Sequence, residues 1–205
     1  MIPIMSLWLP IVLSAVLVFL ASALVWMALP HHKTDWKGLP NEEAARSADM
    51  VVVTVPFTHQ TSTLQSIAGE CAGKIVVDTT VPLVPPKVAR VQLPPEGCAA
   101  LIAQRVLGEG VRVVSAFHNV GAKHLREDHA IDCDVLVFGD DIEARSQVAQ
   151  LVEAAGMTAW EGGPLANSAA AEALTSVLIG INKRYGILGA GLRITGTPTK
   201  VRQTG

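Results

Sequence analysis

Met50-Val51-Val52-Val53-Thr54-Val55-Pro56 decides the fold class. The run is rich in β-branched residues and has no polar alternation. It therefore predicts a strand covered on both faces, as strands of a parallel sheet are, with Pro56 as its end. Lys74-Ile75-Val76-Val77-Asp78-Thr79 repeats the pattern. Arg112 to Phe117 gives a third strand, Asp134 to Gly139 a fourth, and Thr158 to Trp160 a short fifth. Helical stretches lie between them: Thr61 to Ala72, Ala99 to Leu107 and Ile142 to Ala155. Asn41 can cap a short helix whose first turn holds Glu42 and Glu43. Pro164 opens a longer apolar helix to about Lys183. The segment from Val81 to Pro95 contains Pro82, Pro85, Pro86, Pro94 and Pro95, so it is neither helix nor central strand. Strands alternating with helices imply an α/β fold with right-handed crossovers and a parallel sheet.

The front of the chain reads differently. No charged side chain occurs from Ile2 to Leu29. A membrane span needs about 20 predominantly apolar residues to cross roughly 30 Å of hydrocarbon, and Leu7 to Leu29 meets that need. Trp8 and Trp26 stand near its ends, where amphipathic rings favour the interface. Lys33 and Lys37 follow the run and nothing basic precedes it. The expectation is a single-pass membrane protein with its C-terminal domain in the cytoplasm. A cleaved leader ending near Ala21-Ser22-Ala23 and a buried core helix are the competing readings. The leader lacks a basic start, and the apolar run continues past the small residues.

Composition narrows the partners. A formal net charge of −2 leaves no basic footprint for nucleic acid. Cys71, Cys98 and Cys133 have no metal-type spacing and suit reduced core thiols. His31–His32 reads as a solvated pair beside the membrane rather than a metal site.

In parallel sheets, ligands bind beyond the carboxyl ends of the strands. Three such ends stand out: Thr54-Val55-Pro56-Phe57-Thr58-His59-Gln60, Asp78-Thr79-Thr80-Val81-Pro82-Leu83 and Ser115-Ala116-Phe117-His118-Asn119-Val120. Alone, His118 reads as a hydrogen-bonded loop histidine. No G-x-G-x-x-G follows a strand, and Gly108-Glu109-Gly110 precedes one, the wrong order for a phosphate cradle.

Five blocks, in order, carry a more specific signal: ADMVVVTVPFTHQTSTL, GKIVVDTTVPLVPPKVARVQLPPEG, VRVVSAFHNVGA, DCDVLVFGDD and GPLANSAAAEALTSVLIGINKRYGILGAGLRITG. From about Asn41 to Gly196 the chain resembles the NADPH-dependent reductases of the deazaflavin coenzyme F420, Rossmann-type dehydrogenases. The resemblance implies hydride transfer between NADP and the deazaflavin. It implies that Thr54, Pro56, Phe57 and Thr61 pack on NADP. It places His118, Asn119, Val120 and Ala122 between nicotinamide and deazaflavin. It puts Pro164, Leu165 and Asn167 at the entry to the C-terminal helix, and Ala190 and Gly191 near the deazaflavin ring. Two cofactors carrying the chemistry would account for the lack of an acid–base constellation.

The family begins with a strand and a Gly-rich turn, which do not appear before Asn41. Residues 1–40 are similar instead to a small family of bacterial single-span membrane proteins. The expected organisation is therefore an anchor over 1–30, a linker over 31–40, a truncated, incomplete Rossmann-like domain over 41–163 and a C-terminal helix and loop over 164–205. A homodimer is compatible with this organisation. NADP binding is expected to be weakened. The alternatives are a catalytically inactive membrane-tethered binding module and a non-functional gene fusion.

Overall fold

Ile75, Val76, Val77 and Asp78 are all buried, which is how an unbroken apolar run behaves in the middle of a sheet. They form β2 (Ile75–Asp78). Its neighbours are β1 (Met50–Val53) and β3 (Arg112–Ser115), both parallel to it, with Val51 opposite Val76 and Val76 opposite Val113. The sheet continues through β4 (Asp134–Gly139) to β5 (Thr158–Glu161), in the order β1-β2-β3-β4-β5. The coordinates are a computed structural model that describes residues 41–121, 124 and 131–196. These residues fall in one compact unit, Asn41–Gly205. The proposed membrane segment and linker lie outside the described residues. Among the described residues, no helix is long and apolar enough to cross a membrane.

The Rossmann-like parallel arrangement holds for β1–β2–β3 and for β4–β5. One pair departs from the all-parallel expectation: β3 and β4 are antiparallel, with Ser115 opposite Phe138. A parallel partner would require the chain to return to the other end of the sheet before re-entering. Here the chain turns back at the end where β3 finishes. The Asn119 carboxamide donates to the Asp134 carbonyl at 2.8 Å and ties the outgoing loop to the start of β4. β1 also differs from expectation. It stops at Val53, and Val52 is 44% exposed, so among the described residues β1 is the outermost strand and is not covered on both faces.

Helices α1 (Asn41–Ser47), α2 (Phe57–Ile67), α3 (Ala99–Leu107), α4 (Ile142–Ala154) and α5 (Ser168–Tyr185) flank the sheet. Two apolar clusters result. One gathers Leu64 and Ile67 of α2, Ala100 and Ala103 of α3, and Val76 and Val113 of the sheet. The other sets Val77, Val114, Val135 and Val137 against Ala144, Val148 and Val152 of α4. The Asp141 carboxylate accepts from the Ala144 amide at 2.7 Å and caps α4. Residues 79–98 contain no regular helix or strand, as the prolines require. All three cysteines are buried and free. Pro164 does not start the long helix directly; a 3-10 turn, Leu165–Asn167, comes first.

Leu165 is fully buried in the first cluster. Replacing it with alanine should leave a cavity and cost about 2–5 kcal/mol in urea unfolding. A loss below about 0.5 kcal/mol, the usual range for a surface change, would contradict that packing.

Candidate functional site

Beyond Ser115 the chain leaves β3, and Phe117 takes a left-handed backbone conformation with φ of 65°. For a bulky residue this costs on the order of 1–3 kcal/mol. The turn delivers His118 into the interior, 6% exposed, and Asn119 beside it, 8% exposed. Asn119 Nδ2 donates to the Asp134 carbonyl and lies 3.0 Å from Cys133 Sγ.

The C-terminal segment returns to the same place. Gly186 closes α5 in the left-handed region, and the chain then runs back towards β4. The Ala190 amide donates to Asn182 Oδ1 at 2.8 Å. The Asp134 amide donates to the Leu192 carbonyl at 2.8 Å. The Asp134 carboxylate accepts from the Ile194 amide at 2.7 Å and from Trp160 Nε1 at 2.9 Å. Gly191 comes so near Cys133 that a Cβ there would stand 2.8 Å from Sγ.

These segments enclose a cavity of about 250 Å³ walled by Asn119, Val120, Gly121, Cys133, Gly189 and Gly191, among others. A larger hollow of about 440 Å³ lies along the starts of β4 and β5, next to Thr158, Trp160 and Arg193. The smaller cavity is the better candidate. It stands beyond the carboxyl end of β3, where α/β sheets hold ligands, and two of the segments that the resemblance names meet there.

The predicted residues therefore divide. Asn119, Val120 and Gly191 line the cavity, Ala190 adjoins it, and His118 precedes the lining residues. Ala122 lies outside the described residues. Thr54, Pro56 and Thr61 are exposed and Phe57 is half-buried at the end of β1, away from this cavity. Two strand spacings of about 4.8 Å separate β1 from β3. Leu165 is core, while Pro164 and Asn167 are exposed, and Asn167 Nδ2 donates to the Gly162 carbonyl at 2.9 Å. The entry to α5 thus shapes the fold and does not line the cavity.

The sequence reading did not single out the polar chain beneath His118. His118 Nε2 is 2.7 Å from Ser115 Oγ, which is 2.5 Å from Ser168 Oγ. The Ser168 hydroxyl donates to Glu172 Oε1 at 2.8 Å. The same carboxylate accepts the amides of Ala99 at 2.6 Å and Ala100 at 3.1 Å, the first turn of α3. Glu172 is 1% exposed. One signal was available: Glu172 is the only charged residue between Ser168 and Asn182. Near it, Asp78 accepts from Gln60 Nε2 at 2.6 Å and from the Thr80 amide at 3.2 Å.

Burial dominates the electrostatics of these groups. It pushes the Glu172 carboxyl up to about 7 against the pull of its three donors. It raises Asp78 to about 6 and lowers His118 to about 4. The carboxyls bind protons more tightly folded than unfolded. Their burial penalty is therefore absent below the unfolded values near 4 and grows as pH rises through the folded ones. His118 acts in the opposite sense. Its neutral buried form loses stability as pH falls from the unfolded value near 6.5 to about 4. Between those limits the imidazole offsets part of the slope of the two carboxyls. In His118→Gln only the carboxyl slope remains, so urea midpoints should rise as pH is lowered from 7.5 to 5. The gain should be on the order of 1–3 kcal/mol. A variant whose stability falls over that interval would refute the assignment.

Comparisons with known proteins agree with the blocks quoted from the sequence. The family described as NADP oxidoreductase, coenzyme F420-dependent, matches residues 27–82. The likeness therefore begins before Asn41, within stretches read from sequence as the end of the anchor and the linker. The F420-dependent NADP reductase of Methanocaldococcus jannaschii is 40% identical over 168 residues, covering 80% of this chain and 75% of that one. The enzyme of the same name from Methanothermobacter thermautotrophicus is also 40% identical, covering 79% and 72%. Among solved structures, a putative F420-dependent NADP reductase from Arthrobacter superposes with a TM-score of 0.66 at 25% identity, covering 76% of this chain and 74% of that one. The extent of these matches, in both chains, shows that this protein belongs to the F420-dependent NADP reductase family.

Proposed function

We propose that the protein is an oxidoreductase that passes hydride between NADP and coenzyme F420. The observation that carries the proposal is the meeting of the 119–121 and 189–191 segments at one cavity beyond the end of β3. The family relationship supports it, because the relatives are F420-dependent NADP reductases by name.

The residues present suit a flat, partly polar ring. Gly189 and Gly191 add no side chain to the wall. His118 stands just before the wall residue Asn119, with Nδ1 buried and without a hydrogen-bond partner among the described residues. Bound together, the two cofactors would supply the redox chemistry, with reduced deazaflavin plus NADP giving oxidised deazaflavin, NADPH and one proton. The chain's own task is to orient the two rings and keep water away. Asn119 is suited to orientation because its carboxamide is fixed by the Asp134 carbonyl. Val120 and Gly191 supply uncharged wall.

Of the two cofactors, the deazaflavin is the better served. The loops assigned to it meet at the described cavity. Membrane attachment through the apolar run from Leu7 to Leu29, with the catalytic unit in the cytoplasm, is part of the same proposal.

The test is to mix the full chain with reduced F420 and NADP and follow the return of oxidised deazaflavin absorbance together with NADPH formation. Turnover should appear, and separate titrations should show tighter deazaflavin than NADP binding. His118→Ala should lower turnover or deazaflavin affinity, beside a loss of stability from the buried bond to Ser115 that it removes. Absence of turnover in both directions with both cofactors saturating would overturn the catalytic proposal. NADP binding tightly without detectable deazaflavin binding would overturn the cavity assignment.

A further inference from the structure

The polar chain from His118 to Glu172 contains few enough hydrogens for their positions to be counted. Glu172, when ionised, can only accept. It receives the Ala99 and Ala100 amides and the Ser168 hydroxyl. Ser168 has one hydroxyl hydrogen, and that hydrogen is committed to Glu172. The bond between Ser115 and Ser168 must then use the Ser115 hydrogen. Ser115 has no second hydrogen, so its contact with His118 must be an acceptance from Nε2–H. Neutral imidazole carries only one N–H. His118 Nδ1 is consequently left as a bare lone pair.

We propose that Glu172 is a positioning residue: acting through Ser168 and Ser115, it locks His118 in the Nε2–H tautomer and presents Nδ1 as a hydrogen-bond acceptor. Two facts favour this direction over its reverse. The first turn of α3 supplies two of the three donors to Glu172, and the positive end of that helix favours a carboxylate. Nδ1 is buried with no partner among the described residues, which is the position of an acceptor awaiting a donor. An Nδ1–H in that place would instead be an orphaned donor.

The tautomer has a consequence for selectivity. With His118 neutral, Nδ1 can receive an N–H or O–H from a ligand and cannot donate to a phosphate or carboxylate oxygen. Nδ1 is buried and His118 is not among the wall residues, so a ligand that reaches it must bring an N–H or O–H rather than an anionic oxygen. Only this consequence rests on the proposed function. The tautomer itself is a property of the ligand-free chain.

The groups facing the chain are Asp78 from the end of β2, Cys98 just before α3, and Glu172 and His118 themselves. The measurement therefore belongs above the range in which Glu172 takes up a proton, at about pH 8.5. Two-bond nitrogen–proton correlation spectra of the ligand-free, histidine-labelled protein report which ring nitrogen carries the proton. His118 should show a protonated Nε2 and an unprotonated Nδ1. In Ser168→Ala, Ser115 loses its acceptor and can donate to His118, so the signal should shift towards Nδ1–H or a mixture. Glu172→Gln should do the same. If Glu172→Gln does not fold, Ser168→Ala, which removes one hydroxyl and no charge, still decides the question. A wild-type ring protonated at Nδ1 would overturn the proposal. So would an unchanged Nε2–H tautomer in folded Ser168→Ala. Neither result depends on cofactor binding, so this test and that of the proposed function fail separately.

Discussion

A carboxylate with almost no exposure sits at the amino end of a buried helix, and the architecture of the site follows from it. Glu172 belongs to α5, yet its oxygens take the first amides of α3 and the Ser168 hydroxyl. A charge in that position would be costly without donors, and the donors are arranged to meet it. The contact fixes where α5 crosses the end of the sheet. Thr175, further along α5, donates to the His118 carbonyl at 2.9 Å, so the same helix also holds the loop after β3. Beyond α5, the returning segment reaches Asp134 and closes the cavity. Removing the carboxylate would undo more than one hydrogen bond, because three segments take their positions from it.

The reversal between β3 and β4 is the second determinant. In an all-parallel sheet the start of β4 would lie at the far end from the close of β3. The antiparallel pairing brings Cys133 and Asp134 beside Asn119 instead. The cavity is therefore built from two stretches far apart in sequence, the loop after β3 and the segment after α5. Asp134 is the joint between them, bonding Asn119 on one side and Leu192 and Ile194 on the other.

Much of this was legible in the residues, for specific reasons. Ile75 to Asp78 reads as a covered strand because every position is apolar or has a buried partner, as Asp78 does in Gln60. Met50 to Val53 has the same composition but is the outermost of the described strands, and composition does not distinguish a central strand from an outer one. Strand direction was not legible either, since Asp134 to Gly139 has the same alternation read forwards or backwards. His118 and Gly191 were named from the flanking blocks, whereas Ser115, Ser168 and Glu172 matter through their contacts with one another. Residues 115, 168 and 172 come together only when β3 and α5 pack. No local pattern announces that, apart from the oddity of one acid among alanines. Leu165 shows the converse: it lies in a family block, but its side chain belongs to the core.

Phe117 gives the loop one more property. Its left-handed backbone is held against an unfavourable preference by the packing of its half-buried ring against the second apolar cluster. The strain and the aim of His118 are the same feature, since relaxing Phe117 towards an extended conformation would turn the next residue away from Ser115. Relief of the turn and retention of the imidazole's aim therefore pull this position in opposite directions. Descendants of this chain that became more robust by relieving the turn would surrender the imidazole's orientation, and those that kept the orientation would have to gain their robustness elsewhere.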